Sequence, residues 1–181
     1  MESQIIVTGF KPFSVYSINS SWEAAKVLHL YKETILIKEL HVDHLIAHQQ
    51  ICNLLENAKC DILLLSGLTY RNHISLETIA RKPFELKFIE GPSILKAISP
   101  WKTIVEQLQS FNIPIDISED AGQYVCESVF WSALNFKRNN GYPSLVGFMH
   151  VPPISPVWSA NRIAEIMRLT LESALNVEDY S

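Results

Sequence analysis

The sequence is poor in cysteine, with three among its 181 residues, at Cys52, Cys60 and Cys126. No two of them form a CxxC pair, and an odd number cannot all be paired within one chain. We therefore expect neither a disulfide framework nor a zinc ribbon. Because free thiols persist in a reducing compartment, we expect the chain to work in the cytoplasm.

Positive charge and long apolar stretches are also scarce. The formal net charge is −4 at pH 7, and no run of Lys or Arg is longer than a pair such as Arg81-Lys82. Nucleic acid is therefore not an expected partner. Apolar runs such as 62–65 are too short to span a membrane, and the N-terminus lacks the basic start of a signal peptide. No membrane partner is expected either.

What the sequence does have is the composition and periodicity of an α/β protein. Apolar residues make up 48% of it, enough for the core of a single domain over 1–181. Strands are predicted at 5–8, 34–40, 61–66, 74–80, 113–117 and 144–151, and helices at 22–30, 43–58, 100–111, 124–136 and 160–174. Because helices separate most strands, we predict a mostly parallel twisted sheet with helices on both faces, a three-layer sandwich. Ser21 is expected to cap the first helix.

Cys126 is the first candidate for chemistry. Gly122 precedes it and an amphipathic stretch follows, which places it in the first turn of a helix. Free backbone N–H groups and the helix dipole favour a thiolate there, and the same N–H groups can stabilise an oxyanion. Position alone nevertheless favours a small packed thiol, the usual state of a free cysteine.

Two further residues give Cys126 candidate partners. His150 ends a predicted strand, where a side chain points into the crevice of an α/β sheet and can act as a base toward a thiol. Glu77 lies among apolar residues, where a carboxylate is costly unless it is paired, and an imidazolium would pair it. Taken singly, a core histidine and a solvated glutamate explain these two residues as well.

Four sequence blocks resemble the pyroglutamyl peptidase I (pyrrolidone carboxyl peptidase) family of cysteine peptidases. They are 8–13 with 19–23, 67 with 74–80, 121–126, and 147–152. The resemblance implies a catalytic triad of Cys126 as nucleophile, His150 as base and Glu77 as the group that orients the base. It also implies that Phe10 and Phe13 form the apolar pocket for a lactam ring, with the segment from Leu68 onward beside them.

The segments that would face substrate depart from the family pattern. Residues 68–71 replace a Gly-rich loop, and 82–90 replace a longer loop that carries an Arg of the family. Glu127 stands where the family usually has Asn. A closing loop adds contacts and expels water, so we predict an open pocket and weak or absent hydrolysis of a small pyroglutamyl amide. The natural substrate is then larger or different, or a neighbouring subunit completes the pocket.

These observations predict a cysteine hydrolase that cleaves a pyroglutamyl or related small acyl-amide bond through a thioester, without a cofactor. Two alternatives stay open: a divergent member with another substrate in a biosynthetic pathway, and a non-catalytic homologue that binds a ligand in the pocket. The expected partner is a small peptide or acyl-amide substrate, and a homo-oligomer is left open. His41, His44 and His48 have spacing that suits a metal, but no acidic or cysteine ligand stands nearby, so no metal site is predicted.

Overall fold

The computed structural model describes residues 4–97 and 100–176 as an α/β fold. Its strands are β1 (Ile5–Phe10), β2 (Leu36–Leu40), β3 (Ile62–Leu68), β4 (Ile74–Glu77), β5 (Ile79–Arg81), β6 (Ile94–Lys96), β7 (Ile115–Ser118) and β8 (Leu145–Val151). Its α-helices are α1 (Ser20–Tyr31), α2 (His44–Asn57), α3 (Trp101–Ser110), α4 (Val125–Asn140) and α5 (Ala160–Leu175). A short 3₁₀ helix covers Phe84–Leu86.

Six of the strands form the main sheet, in the order β2-β1-β3-β8-β4-β7. All neighbours in it are parallel except β4 and β8, which are antiparallel. Helices α1 and α3 pack with α5 on one face, and α2 packs with α4 on the other. The predicted mostly parallel sheet between two helical layers is therefore confirmed. None of the helices in the described ranges is long and apolar enough to cross a membrane.

The segment predicted as one strand over 74–80 is in fact two. The chain leaves the main sheet at Thr78, whose N–H donates to Ser118 O and whose carbonyl accepts from Ala97 N–H. Strand β5 then pairs with β6, a strand that was not predicted, in a separate antiparallel hairpin. This hairpin packs on α4, so it covers that helix beside the main sheet.

The start of α1 also differs from the prediction. Asn19, not Ser21, is the N-cap, and its side-chain oxygen accepts from Ser21 N–H. Ser21 lies inside the helix, where its hydroxyl accepts the backbone N–H of Phe10 at 3.0 Å. This bond ties the end of β1 to the first turn of α1 and fixes the backbone of Phe10.

Helix α4 is buried along most of its length because it lies between the main sheet, α2 and the β5–β6 hairpin. Phe130 and Trp131 are fully buried at its centre. The helix begins at Val125 and ends before Gly141, whose φ of 77° is the left-handed conformation that glycine adopts at low cost. The predicted position of Cys126 in the first turn of a helix is therefore confirmed.

Candidate active site

A cavity of about 470 Å³ opens where β1, β3 and β8 end and α4 begins. Five of the six residues predicted for the site line it, namely Phe10, Phe13, Leu68, Cys126 and His150. Glu77, the sixth, lies behind His150 and is fully buried. The structure thus brings all the predicted side chains to one place, although they come from five different elements and one loop.

Glu77 and His150 are joined by a hydrogen bond of 2.7 Å between Oε1 and Nδ1. The antiparallel pairing of β4 and β8 explains the contact. Ser75 lies directly opposite His150, and Glu77 lies opposite Phe148, so Glu77 and His150 are diagonal neighbours on one face. Glu77 is therefore not a solvated residue of the outer face of its strand.

Arg71 is a member of this site that was missed in the sequence. Its Nη1 donates to Glu77 Oε1 at 2.8 Å, and its side chain lines the cavity. The available signal was a basic residue in a strand-end loop, six positions before a buried carboxylate. Charge of either sign is common in such loops, so the position alone did not single it out.

Several groups act together on the pKa of Glu77. Burial alone would raise it, but hydrogen bonding from His150 and Ser118 and the charges of His150 and Arg71 outweigh that effect. The net result is a pKa below the ordinary value of a glutamate. Glu77 is therefore ionised at neutral pH, although it is fully buried.

Cys126 lies against the backbone of β3. A Cβ atom built on Gly67 would stand 2.6 Å from Cys126 Sγ and 3.0 Å from the Phe148 ring, so only glycine leaves room for the sulfur there. Gly67 pairs with His150 on the neighbouring strand, which places the thiol one strand away from the imidazole. Within the described ranges, no hydrogen bond joins the thiol to the His150 ring.

The ionisation of Cys126 differs from the expectation drawn from its helix position. Burial raises the pKa of the Cys126 thiol to about 12, its own backbone N–H lowers it, and the charges of Glu77 and Glu127 raise it further. The helix start was expected to favour a thiolate, but burial and two nearby carboxylates outweigh it. In this conformation Cys126 is therefore a neutral thiol that needs a base.

Glu127 is a buried carboxyl beside the thiol. It accepts a hydrogen bond from the backbone N–H of Arg81 in β5, which ties the hairpin to the start of α4. Burial raises its pKa to about 7, and the nearby charges of Asp120 and Glu77 contribute in the same direction, against hydrogen bonding and charge from Arg81. Glu127 therefore changes its charge near neutral pH, next to the candidate nucleophile.

We expect Glu127→Gln to lower the pKa of the Cys126 thiol, because it removes one of the two negative charges that raise it. Iodoacetamide should then alkylate Cys126 several-fold faster at about pH 8.5, where Glu127 is ionised, and almost equally at about pH 6. Mass spectrometry of the alkylated chain gives the rates. Glu119→Gln, at an exposed position, is the control. Equal rates for Glu127→Gln and the unaltered chain at both pH values would contradict the prediction.

One wall of the cavity is aromatic. Tyr16 stands with its ring centroid 5.9 Å from those of Phe13 and Tyr70, and so joins the loop after β1 to the loop after β3. Tyr70 and Tyr124 are mostly exposed where they line the cavity, at 70% and 73%. The cavity therefore has an apolar floor at Phe10 and an open aromatic rim.

The three histidines of the H-x₂-H-x₃-H pattern do not converge. His44 and His48 each bond a serine of α4 through Nδ1, Ser128 and Ser132, both at 2.7 Å. His41 Nε2 instead lies 2.8 Å from Lys11 Nζ. Across residues 4–97 and 100–176 no group of three His, Cys, Asp or Glu side chains is placed to hold a metal.

Comparison of the sequence with known families and proteins gives a consistent result. The pattern of the pyroglutamyl peptidase family matches residues 3–86 and 85–177. A pyrrolidone-carboxylate peptidase of Brachyspira hyodysenteriae is 29% identical, covering 94% of this chain and 98% of the relative. One of Thermococcus kodakarensis is 31% identical, covering 82% of this chain and 81% of the relative. The two matched stretches meet within 82–90, where the sequence predicts a shortened loop.

Solved structures agree with the sequence comparison. A mutant pyrrolidone carboxyl peptidase from Pyrococcus furiosus superposes with a TM-score of 0.84 at 27% identity, covering 97% of this chain and 99% of the other. Pyroglutamyl peptidase I of Bacillus amyloliquefaciens superposes with a TM-score of 0.87 at 24% identity, covering 98% and 99% of the two chains. Because the second protein is only 24% identical to this chain, its superposition shows that the two share a fold and no more.

Proposed function

The chain belongs to the pyroglutamyl peptidase family of cysteine peptidases, and on that premise we propose that Cys126, His150 and Glu77 carry out its hydrolytic reaction. The observation that carries this proposal is the buried 2.7 Å hydrogen bond between Glu77 and His150 behind a cavity that Cys126 also lines. The same two features argue against the alternative of a binding protein without catalysis. Burying a carboxylate against a histidine costs free energy of folding, and a need for packing alone would not explain that cost.

In the proposed first step, His150 takes the proton of the Cys126 thiol as Sγ attacks the carbonyl carbon of the N-terminal residue. Because the pKa of the Cys126 thiol is raised to about 12, this proton transfer accompanies the attack instead of preceding it. The C–N bond to the next residue then breaks, and His150 gives its proton to the departing amine. A thioester on Cys126 remains.

In the second step, water replaces the amine. His150 takes a proton from the water while the water oxygen attacks the thioester carbon. The C–S bond then breaks, and His150 returns that proton to the sulfur of Cys126. Glu77 accepts the Nδ1–H of His150 throughout and stabilises the imidazolium each time it forms. Since Cys126 Sγ and the ring share no hydrogen bond in this conformation, the thiol must turn toward His150 when substrate binds.

The start of α4 supplies the electrophilic side of the proposed site. No side chain caps its N-terminus at Tyr124, and the N–H of Glu127 donates to Tyr124 O, so the N–H groups left for an oxygen atom are those of Val125 and Cys126. An oxygen of the tetrahedral intermediate beside Cys126 would meet these donors and the positive end of the helix dipole.

Phe10, Phe13 and Leu68 form the proposed platform for the ring of the N-terminal residue. Phe10 and Leu68 are buried at the floor of the cavity, while Phe13 is partly exposed in its wall. A pyroglutamyl ring is flat and uncharged, so it suits an apolar surface. The exposed rim at Tyr70 and Tyr124 leaves room for a peptide that continues beyond this ring.

The compartment and assembly of the chain are part of the same proposal. Cys52, Cys60 and Cys126 are all free, which supports work in a reducing compartment such as the cytoplasm. Exposed aromatic residues at Phe84 and Phe88, 73% and 85% accessible, favour association between copies of the chain.

A fluorogenic assay tests the proposed substrate. We expect hydrolysis of pyroglutamyl-aminomethylcoumarin, and none of the prolyl and alanyl analogues, because the platform fits an uncharged ring without an α-amino group. The open rim predicts that kcat/KM on this small amide stays below about 10⁴ M⁻¹s⁻¹, with a higher value on pyroglutamyl peptides of several residues. Cleavage of the peptides is measured by chromatography of the N-terminal residue that is released.

Two outcomes of this assay would contradict the proposal, and a third would favour one of its alternatives. Equal rates on pyroglutamyl and prolyl amides would show that the ring carbonyl is not recognised. Efficient turnover of the small amide, without gain from a longer peptide, would show that the shortened loops have no effect. Hydrolysis of an unrelated acyl amide alone would favour the divergent family member.

A further inference from the structure

Arg71 connects the loop after β3 to three other parts of the site. Its Nη1 donates to Glu77 Oε1 at 2.8 Å and to the hydroxyls of Ser75 and Ser118, both at 3.1 Å. Its Nη2 donates to the backbone oxygen of Asp120 at 2.6 Å. One side chain thus contacts β4, the end of β7 and the loop that leads to α4.

Three donors meet on a single oxygen of Glu77. Oε1 accepts from His150 Nδ1 at 2.7 Å, from Arg71 Nη1 at 2.8 Å and from the hydroxyl of Ser75 at 3.3 Å. A guanidinium keeps its charge throughout the working pH range. Arg71 therefore keeps Glu77 ionised, and it also draws part of the negative charge of Oε1 away from His150. Both effects weaken the hold of the Glu77–His150 pair on a proton.

The charged groups on the α4 side of this pair have the opposite sign. Glu127 faces it from α4, next to the neutral thiol of Cys126, and Asp120 faces Glu127 from the preceding loop. Ser75 and Ser118, from β4 and β7, contribute hydroxyl groups without charge. A positive group at Arg71 thus offsets neighbours that would otherwise stabilise a protonated pair.

We propose that Arg71 is a positioning residue, which fixes the Glu77 carboxylate toward His150 through their shared oxygen and keeps the pair able to accept the proton of Cys126. The proposal rests on the proposed function, because it assigns Arg71 a part in that same site. It predicts a change in the pH dependence of activity, in addition to a loss of rate.

The kinetic test compares pH profiles of kcat/KM for the full chain and its variants on a pyroglutamyl peptide. We expect Arg71→Met to move the acid limb to higher pH by about 0.5–1 unit, because the pair then holds its proton more tightly. Arg71→Lys, which restores the charge with a single nitrogen, should bring most of the limb back. Arg71→Gln replaces the methionine variant if the latter does not fold.

Arg162→Met is the matched control. Arg162, at the start of α5, is exposed and donates to the backbone oxygen of Val157 as Arg71 donates to that of Asp120, but it does not line the cavity. Its variant should show the same acid limb as the unaltered chain. If Arg71 only supports its loop, Arg71→Met will lower kcat/KM equally at every pH without moving the limb, and the proposal is overturned.

A measurement on the enzyme without substrate separates this proposal from the proposed function. The His150 ring signal, assigned by its loss in His150→Asn, is followed by NMR through a pH titration of the full chain. A higher midpoint in Arg71→Met supports the role of Arg71 even if no pyroglutamyl substrate is cleaved. An unchanged midpoint and an unchanged acid limb in an active enzyme overturn the role of Arg71 and leave the proposed function standing.

Discussion

Replacing Cys126 with alanine is expected to lower kcat/KM on a pyroglutamyl peptide by about 10⁴-fold or more. The reason is that the proposed reaction forms a bond to Sγ, and nothing else in the described part of the cavity replaces a thiol. The fold should persist, since removing the sulfur from its place against Gly67 costs little packing. Steady-state kinetics and thermal unfolding of the purified variant measure the two effects separately.

Cys52→Ala provides the matched control for this substitution. Cys52 is a free and partly buried thiol like Cys126, and burial raises its pKa to about 11. It lies on α2 and does not line the cavity. Its variant should keep full activity. If Cys126→Ala retained more than a few per cent of the rate on a substrate that the unaltered chain cleaves, a thioester on Cys126 would be excluded.

Glu77→Gln is expected to lower kcat by about 10³-fold with little change in KM, less than the loss from removing the nucleophile. The substitution keeps the shape of the side chain but removes its charge. The imidazolium that forms at His150 then loses its stabilising partner, and the glutamine amide can present a donor to Nδ1 and force the wrong tautomer.

The control for Glu77→Gln is Glu165→Gln on α5. Glu165 also pairs with an arginine, Arg168, at 2.7 Å, but this pair is exposed and does not line the cavity. Its variant should match the unaltered chain in kcat and in KM. A Glu77→Gln enzyme within about threefold of full kcat would show that His150 is oriented by something other than this carboxylate.

Much of the site could be predicted from the sequence because its determinants are local. Cys126 follows Gly122 and precedes an amphipathic stretch, and α4 begins at the adjacent residue. His150 lies one residue before the end of β8, where the following prolines stop regular pairing. Such positions depend on backbone periodicity and on residues that cannot continue a helix or a strand.

The orientation of β4 was not predicted, although the sequence contained a signal for it. Only residues 69–73 separate β3 from β4. A parallel crossover needs a dozen residues or more, so β4 could not return parallel to β3 through so short a connection. Its antiparallel pairing with β8 places Glu77 diagonal to His150, and a strand running the other way would carry Glu77 to a different edge.

Contacts between distant residues limited the rest of the prediction. Arg71 reaches Ser118 and Asp120, 47 and 49 positions away, and no local pattern indicates that approach. The raised pKa of the Cys126 thiol depends on burial by the whole fold and on the charges of Glu77 and Glu127. A helix start can be recognised from sequence, but the environment that outweighs its dipole cannot.

The protonated state of Cys126 also has a consequence for the enzyme under oxidative stress. Peroxides oxidise thiolates to sulfenic acid, and they react slowly with neutral thiols. With its pKa raised to about 12, the idle enzyme exposes almost no thiolate, and burial raises the pKa of Cys52 and Cys60 as well. In the proposed reaction the thiolate forms only while a substrate occupies the cavity and shields the sulfur, so turnover itself would restrict the time during which peroxide can inactivate the enzyme.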